Sequence, residues 1–241
     1  MKQVIFTFLF TTLLSVVGTK AFAYDIAVEN SDGVMIYYNY YNDGTELEVT
    51  RKSSSYRYSG VVNIPEEVTY MSRTRKVTTI GDGAFWDCSG LISVTIPNSV
   101  TTIGQEAFFC CTGLSSVTIP NSVTTIKNSA FNQCSGLTSV HITDLASWCK
   151  IAFNVERSNP LYYAHHLFLN DEEIKDLVIP NSVTTIKNYA FYRCSSLTSV
   201  TIPNSVTTIE ERAFYGCTGL TSVTIPNSVK IIGASAFSVC I

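Results

Sequence analysis

The chain repeats itself with a period of 23 residues, and this period limits its possible folds more than any single residue does. The motif Ile-Pro-Asn-Ser-Val occurs five times, starting at Ile96, Ile119, Ile179, Ile202 and Ile225. Ala-Phe pairs keep the same spacing, with their alanines at Ala84, Ala107, Ala130, Ala190, Ala213 and Ala236. A fixed period of this size predicts a solenoid, propeller or array, in which each unit buries its apolar face only against its neighbours.

The residues inside one repeat predict two strands and a turn. Apolar and polar residues alternate at the end of segment 197–202, which is the period of a strand with one buried face. The expected inward side chains are Leu197, Val200 and Ile202, and the outward ones are Ser199 and Thr201. Pro203 has no N–H to donate and ends the strand. Residues 206–209 are predicted to form a second extended segment. Residues 210–217 are predicted to form a short helical or 3₁₀ turn that places Phe214 between the walls formed by the two kinds of strand.

This repeat resembles the leucine-rich repeats, and more closely their BspA-like branch, also called the Treponema type. The likeness is carried by Leu-x-x-Val-Thr-Ile-Pro-Asn-Ser-Val-Thr-Thr-Ile and Ala-Phe-x-x-Cys, as in segments 197–209 and 213–217. It covers nearly all of residues 64–240. Ser99 and its equivalents stand where the general pattern has Asn, so we expect no asparagine ladder.

The resemblance implies a β-rich, right-handed leucine-rich-repeat solenoid of about seven rungs. It also implies a bacterial cell-surface or secreted protein associated with adhesion to host matrix proteins or other cells. It brings no catalytic residue to carry over, and we expect no cofactor.

Residues 1–23 have the pattern of a signal peptide. Lys2 supplies the positive start, residues 4–17 are apolar, and Ala21-Phe22-Ala23 is a small-x-small cleavage site. We therefore expect a secreted or cell-surface protein that is cleaved near Ala23. An uncleaved membrane anchor is the alternative for this segment, while no later apolar run is long enough to span a membrane.

Residues 24–60 do not repeat and predict an N-terminal β cap. Two runs rich in aromatic and β-branched residues, 34–40 and 47–50, flank Asn42-Asp43-Gly44, which favours a β-hairpin. Such a hairpin covers the first coil of the solenoid, which occupies residues 61–241. A separate small binding module is the alternative interpretation of the cap.

Charge gives little indication of a partner. The net charge is −3, so no general attraction to nucleic acid follows. Six cations do cluster near the N-terminal end of the repeats: Arg51, Lys52, Arg57, Arg73, Arg75 and Lys76. They suggest either a site for a polyanion or acidic glycan, or an ordinary solvated face shared with Glu66 and Glu67.

Six of the eight cysteines occupy one position of the repeat, at Cys88, Cys111, Cys134, Cys194, Cys217 and Cys240. A ladder of buried, reduced thiols explains this spacing, because free Cys packs as a small hydrophobe. Bonded neighbours are the alternative, although disulfide geometry is demanding. Cys110 and Cys149 lie off the ladder and are predicted to be the more reactive thiols.

The repeat is irregular over residues 143–178, where Ile142 and Ile179 are 37 residues apart instead of 23. All three histidines lie in or beside this segment, and Asn170-Asp171 predicts a hairpin turn. Four interpretations stay open. They are a metal site formed by histidines, a catalytic His–Cys149 pair, structural packing by Trp148, Phe153 and Leu161, and an exposed contact patch around Tyr162, Tyr163 and His165.

Together these features predict a non-catalytic protein that binds host or bacterial surface proteins or glycans through its repeats, as an adhesin does. The candidate contact residues are Thr95, Thr118, His141, Tyr162, Tyr163, His165, Thr201 and Thr224. A structural surface-layer or decoy protein is the alternative, and a hydrolase is a third. We also expect self-association through the apolar C-terminal repeat, residues 220–241.

Overall fold

The computed structural model describes residues 24–240, so the predicted signal peptide lies outside the described residues. In chain order the strands are β1 (Ile26–Glu29), β2 (Met35–Tyr41), β3 (Glu46–Thr50), β4 (Gly60–Asn63), β5 (Glu67–Tyr70), β6 (Arg73–Ile80), β7 (Leu91–Thr95), β8 (Thr102–Ile103), β9 (Ser116–Thr118), β10 (Thr125–Ile126), β11 (Ser139–Ile142), β12 (Ala152–Phe153), β13 (Leu167–Leu169), β14 (Glu172–Glu173), β15 (Asp176–Val178), β16 (Thr185–Ile186), β17 (Ser199–Thr201), β18 (Thr208–Ile209), β19 (Ser222–Thr224) and β20 (Ile231–Ile232). The helices are α1 (Leu145–Trp148) and α2 (Leu161–Ala164), and Glu156–Ser158 is a 3₁₀ turn. The predicted solenoid is confirmed, with about seven coils.

Each coil contributes to three walls. The first strand wall contains β4 with β7, then β9, β11 and β13, then β15, β17 and β19, all in parallel. The second strand wall contains β6, β8, β10 and β12, followed by β16, β18 and β20. A run of turns around the Ala-Phe pairs forms the third side, which we call the turn wall. Strand residues one repeat apart pair directly, as Thr201 does with Thr224.

The predicted faces of the first strand wall are confirmed. Leu197, Val200 and Ile202 are buried, while Thr201 is exposed. The alternation works because successive side chains of a strand point to opposite faces. The apolar side chains of all coils therefore form one continuous core, and the polar ones form an outer surface.

The turn wall differs from the expected helical turn. Residues 211–216 form successive turns, and two residues of each repeat have left-handed backbone, those before the Ala-Phe pair and before the ladder Cys. The N–H of Ala213 donates to Glu210 O in its own coil, whereas that of Phe214 donates to Ala236 O in the next coil (2.8 Å). Helical backbone would keep its bonds inside one coil, so this alternation joins neighbouring coils on the third side as well.

The phenylalanines of the Ala-Phe pairs form two stacks. Phe85, Phe108 and Phe131 stack at 5.0 and 5.1 Å between ring centroids. Phe191 stacks on Phe214 at 5.1 Å, and Phe237 continues that stack. The irregular coil separates the two stacks, and its own Trp148, Phe153 and Leu161 are buried as predicted.

The cysteine ladder is a line of mostly buried thiols, four of which hydrogen-bond to the preceding coil. The thiols of Cys111 and Cys134 donate to the carbonyl oxygens of Phe85 and Phe108 at 3.0 Å. Burial raises the pKa of Cys134 to about 12. All eight cysteines are free thiols. Cys149 is also buried, and burial raises its pKa to about 12, so the prediction that it is a reactive thiol is wrong.

The N-terminal cap extends the second strand wall. The predicted hairpin is present as β2 and β3, and β1, which the sequence analysis missed, adds a third antiparallel strand. β3 then pairs in parallel with β6, which joins the cap to the first coil. Tyr58 joins this cap to the first coil. Its ring lies 4.9 Å from that of Phe85, and its hydroxyl donates to Thr50 O (2.8 Å).

The last described coil exposes apolar side chains. Ile231, Ile232 and Val239 are more than half exposed, and Ile225 is partly exposed. These residues lie in the segment for which we predict self-association, and that expectation stays a prediction.

Replacing a stacked phenylalanine tests the assignment of inner and outer faces. Phe131→Ala is expected to lower the free energy of unfolding by about 3–5 kcal/mol, because removing this fully buried ring leaves a cavity in the core. Thr118→Ala on the outer face is expected to change it by no more than about 0.5 kcal/mol. Chemical denaturation of both variants checks this, and equal midpoints contradict it.

The two cysteines outside the ladder are predicted to differ in reactivity. Cys110 is half-buried, whereas Cys149 is fully buried with a pKa of about 12, so only a small fraction of it is thiolate at pH 8. Brief alkylation of the native protein at pH 8, read by peptide mass spectrometry, is expected to modify Cys110 and to spare Cys149. Early modification of Cys149 contradicts this burial.

Candidate functional site

The irregular segment is a complete coil with an added hairpin. Asp144 caps α1 by accepting a hydrogen bond from the Ser147 N–H (2.6 Å), β12 then continues the second strand wall, and β13 continues the first. The predicted hairpin turn is confirmed, since Asn170 and Asp171 have φ values of 51° and 66° between β13 and β14. The insertion therefore adds to the stack as well as projecting from it.

The predicted threonine row lies on the outer face of the first strand wall. Thr118, His141 and Phe168 pair in register along β9, β11 and β13. Beyond the hairpin, Thr201 and Thr224 continue the row from Val178. The hydroxyl of Thr95 donates to Asn63 Oδ1 (2.6 Å). The row is thus polar at both ends and interrupted at the irregular coil.

Each histidine has its own partner. His141 is 3.0 Å from Asp171 Oδ1 and stacks on Phe168, while His166 contacts Glu173. His165, a left-handed residue after α2, contacts Arg193 O (3.1 Å), and burial lowers its pKa. The two adjacent histidines therefore face different groups. Within residues 24–240 no group of three His, Cys, Asp or Glu side chains is arranged to hold a metal ion.

A tyrosine ladder on the turn wall was missed by the sequence analysis, except for its first member. Tyr162 stacks on Tyr192 with ring centroids 5.8 Å apart, and Tyr192 stacks on Tyr215 at 5.0 Å, with interplanar angles of 4° and 9°. Tyr192 and Tyr215 directly follow the phenylalanines of their repeats, which is the signal that could have found them. Tyr192 is thus covered on both ring faces, whereas Tyr162 and Tyr215 are each covered on one face by this stacking.

Two arginines lie beside the first ring of this ladder. The guanidinium carbons of Arg193 and Arg157 are 5.0 and 5.9 Å from the Tyr162 ring centroid. Both side chains are exposed, and neither forms an ion pair with a carboxylate in the described part of the chain. Tyr163, beside them, donates its hydroxyl to Asn132 Oδ1 (3.0 Å) and accepts from the Gln133 N–H (2.9 Å).

Two of the N-terminal cations, Arg57 and Arg75, are engaged by polar partners. Arg57 pairs with Asp87 at 2.9 Å, and Arg75 donates to Gly44 O (2.7 Å). Lys76 lies in register with Glu67 on one side and Glu46 on the other. This arrangement supports a solvated mixed-charge face over a polyanion site.

No helix within residues 24–240 has the length and apolar character needed to cross a membrane.

The fold and the repeat have known relatives. The solved structure of a leucine-rich repeat protein from Bacteroides ovatus is 32% identical with a TM-score of 0.58, covering 84% of this chain and 49% of that one. A leucine rich cell surface protein from Faecalibacterium prausnitzii is 32% identical with a TM-score of 0.59, covering 90% and 52%. The chain thus spans about half the length of these two proteins.

A third structure, the T. pallidum leucine rich repeat protein, is 25% identical with a TM-score of 0.55 and covers 85% of this chain and 86% of its own. No curated protein matches the chain. The BspA type leucine rich repeat region matches in six copies, over residues 62–158 and 163–241, which is well over half of the sequence. The chain therefore belongs to the BspA-type leucine-rich repeat proteins.

Proposed function

We propose that this protein is a non-catalytic recognition protein of a bacterial cell surface, which binds host or bacterial surface proteins or glycans as an adhesin. The family and a relative described as a cell surface protein support the location. The signal-peptide pattern, with cleavage near Ala23, supports export. The rigid stack of coils provides a large surface of fixed shape, as repeat proteins use for binding.

The observation that carries this proposal is the group of side chains Arg157, Tyr162, Tyr163, Arg193 and Tyr215 on one outer side of the stack. Tyrosine and arginine are the residues that recognition surfaces favour. Most outward residues elsewhere on the repeats are Thr, Ser and Asn, which offer little contact area. The threonine row Thr95, Thr118, Thr201 and Thr224, with His141, is proposed as a second, weaker contact surface, and His165 lies beside the first.

A catalytic function is supported less well. Its strongest candidate, a His–Cys149 pair, lacks an accessible nucleophile because Cys149 is buried and its thiol holds its proton. A purely structural surface-layer or decoy protein is the remaining alternative. It predicts no specific ligand, whereas our proposal predicts one.

An array of surface proteins and glycans, probed with residues 24–241, tests the proposal. We expect a ligand whose affinity falls by about tenfold or more in the double variant Tyr162→Ala, Tyr163→Ala, since losing a contact worth roughly 1.4 kcal/mol has that effect. Far-UV circular dichroism and thermal melting are measured alongside, to separate lost contacts from lost structure.

A matched control is available on the N-terminal hairpin. Tyr40 and Tyr41 are about 40% exposed, and the double variant Tyr40→Ala, Tyr41→Ala is expected to bind as the parent does. Loss in the control alone moves the site to the cap. Failure of the parent to bind any ligand on the array contradicts the proposal and favours the structural alternative.

A further inference from the structure

Arg157 of the irregular coil and Arg193 of the next repeat carry positive charge that no carboxylate in the described residues neutralises. Other cations of the turn wall have carboxylate partners: Lys187 is 3.0 Å from Glu210, and Arg212 is 3.7 Å from Glu211. Arg157 and Arg193 have none within residues 24–240, although Glu156 adjoins Arg157 in sequence. Their guanidinium groups thus keep free donors for an anion from outside.

These two guanidinium groups are also held in place. Both lie against the ring of Tyr162. The ring is fixed in turn by stacking on Tyr192, which is itself almost buried. A guanidinium positioned in advance loses less conformational freedom when it binds, and its planar donors match carboxylate and sulfate oxygens.

The tyrosine ladder decides between a glycan and a protein ligand. A protein partner gains most from aromatic side chains that insert into apolar pockets. Here Tyr192 is stacked on both ring faces and Tyr162 and Tyr215 on one face each, so that less ring face and more phenol edge remains for the ligand. Such a surface suits a ligand that is itself rich in hydroxyl groups.

Resting on the recognition function proposed above, we infer that Arg157 and Arg193 form, with the edge of the tyrosine ladder, a binding site for an acidic polysaccharide bearing carboxylate or sulfate groups. The anionic groups bind the two guanidinium groups, and sugar hydroxyls hydrogen-bond to the tyrosine hydroxyls. The site requires both arginines on adjacent coils, so it exists only where the irregular coil meets the next repeat.

The test measures binding of residues 24–241 to immobilised heparin, polygalacturonate, neutral dextran and poly-glutamate. We expect binding to at least one of the acidic glycans, weakening as salt is added, and none to dextran. The double variant Arg157→Gln, Arg193→Gln is expected to lower the affinity by about tenfold or more, because the loss of even one charge-assisted contact has that effect.

The control variant Arg73→Gln, Lys76→Gln removes the same total charge from exposed residues of the β5–β6 hairpin, and is expected to change affinity less than about twofold. Equal loss in both variants means attraction to net charge and overturns the site. Stronger binding to poly-glutamate than to either glycan overturns the glycan assignment. Absence of acidic-glycan binding, together with a ligand found on the array, overturns this inference while the recognition function stands.

Discussion

The structure depends on contact between successive coils. A single coil has short strands and one apolar side, so neither its backbone groups nor its core residues are satisfied alone. Stacking satisfies both at once, through parallel pairing in two walls and alternate hydrogen bonds in the third. This contact explains why Phe and Cys recur at the ladder positions. The Phe rings stack on one another, and a Cys thiol such as that of Cys111 donates to a carbonyl oxygen of the preceding coil.

The close spacing of coils also explains a repeated glycine. A Cβ on Gly113 or Gly136 would meet the carbonyl oxygen of the preceding coil at 2.3 or 2.1 Å, which no side chain tolerates. Ser196 occupies this position in the repeat that follows the irregular coil. Its neighbour there is the hairpin segment, and the Ser196 hydroxyl donates to Ile174 O (3.5 Å). Ser196 therefore marks the place where the close glycine–carbonyl contact between regular coils is replaced by a contact with the hairpin segment.

The irregular coil keeps the stack continuous by using different residues for the same bonds. The Trp148 indole N–H donates to Ala190 O (3.0 Å), and the buried Asn159 side chain donates to Tyr189 O (2.7 Å). The Trp148 side chain supplies the donor that a Phe backbone N–H supplies to the equivalent carbonyl in regular coils, as Phe108 does to Ala130, and the Asn159 bond is additional. The apolar body of Trp148 fills space between the two phenylalanine stacks. The stack thus tolerates a change of sequence, provided that the core is still filled and the carbonyl oxygens still accept hydrogen bonds.

The structure could be predicted from the sequence within the regular 23-residue repeats, but not within the irregular segment. The coil number, the inner positions of Leu197 and Val200 and the burial of the cysteine ladder follow from register, because equivalent residues must meet. Burial of Cys149 and the placement of Arg157 beside Tyr162 depend on how the 37-residue segment folds back, and no periodic pattern specifies that. The backbone of the turn wall was missed for another reason, since bonding between coils overrides the local preference for a helical turn.

This division has a consequence for recognition. Within the regular coils, rows of Thr and Ser offer the same shallow contacts from one coil to the next, so a ligand gains almost as much energy after a shift by one coil as before it. The irregular coil removes that equivalence. Arg157 and Arg193 flank one ring, Tyr162, without a carboxylate partner in the described part of the chain. Arg51 and Arg57 flank Trp86 near the first coil in a similar way, but Arg57 is already paired with Asp87. A ligand that contacts both arginines therefore has one favoured position along the stack, and the break in the repeat defines where on a periodic surface binding occurs.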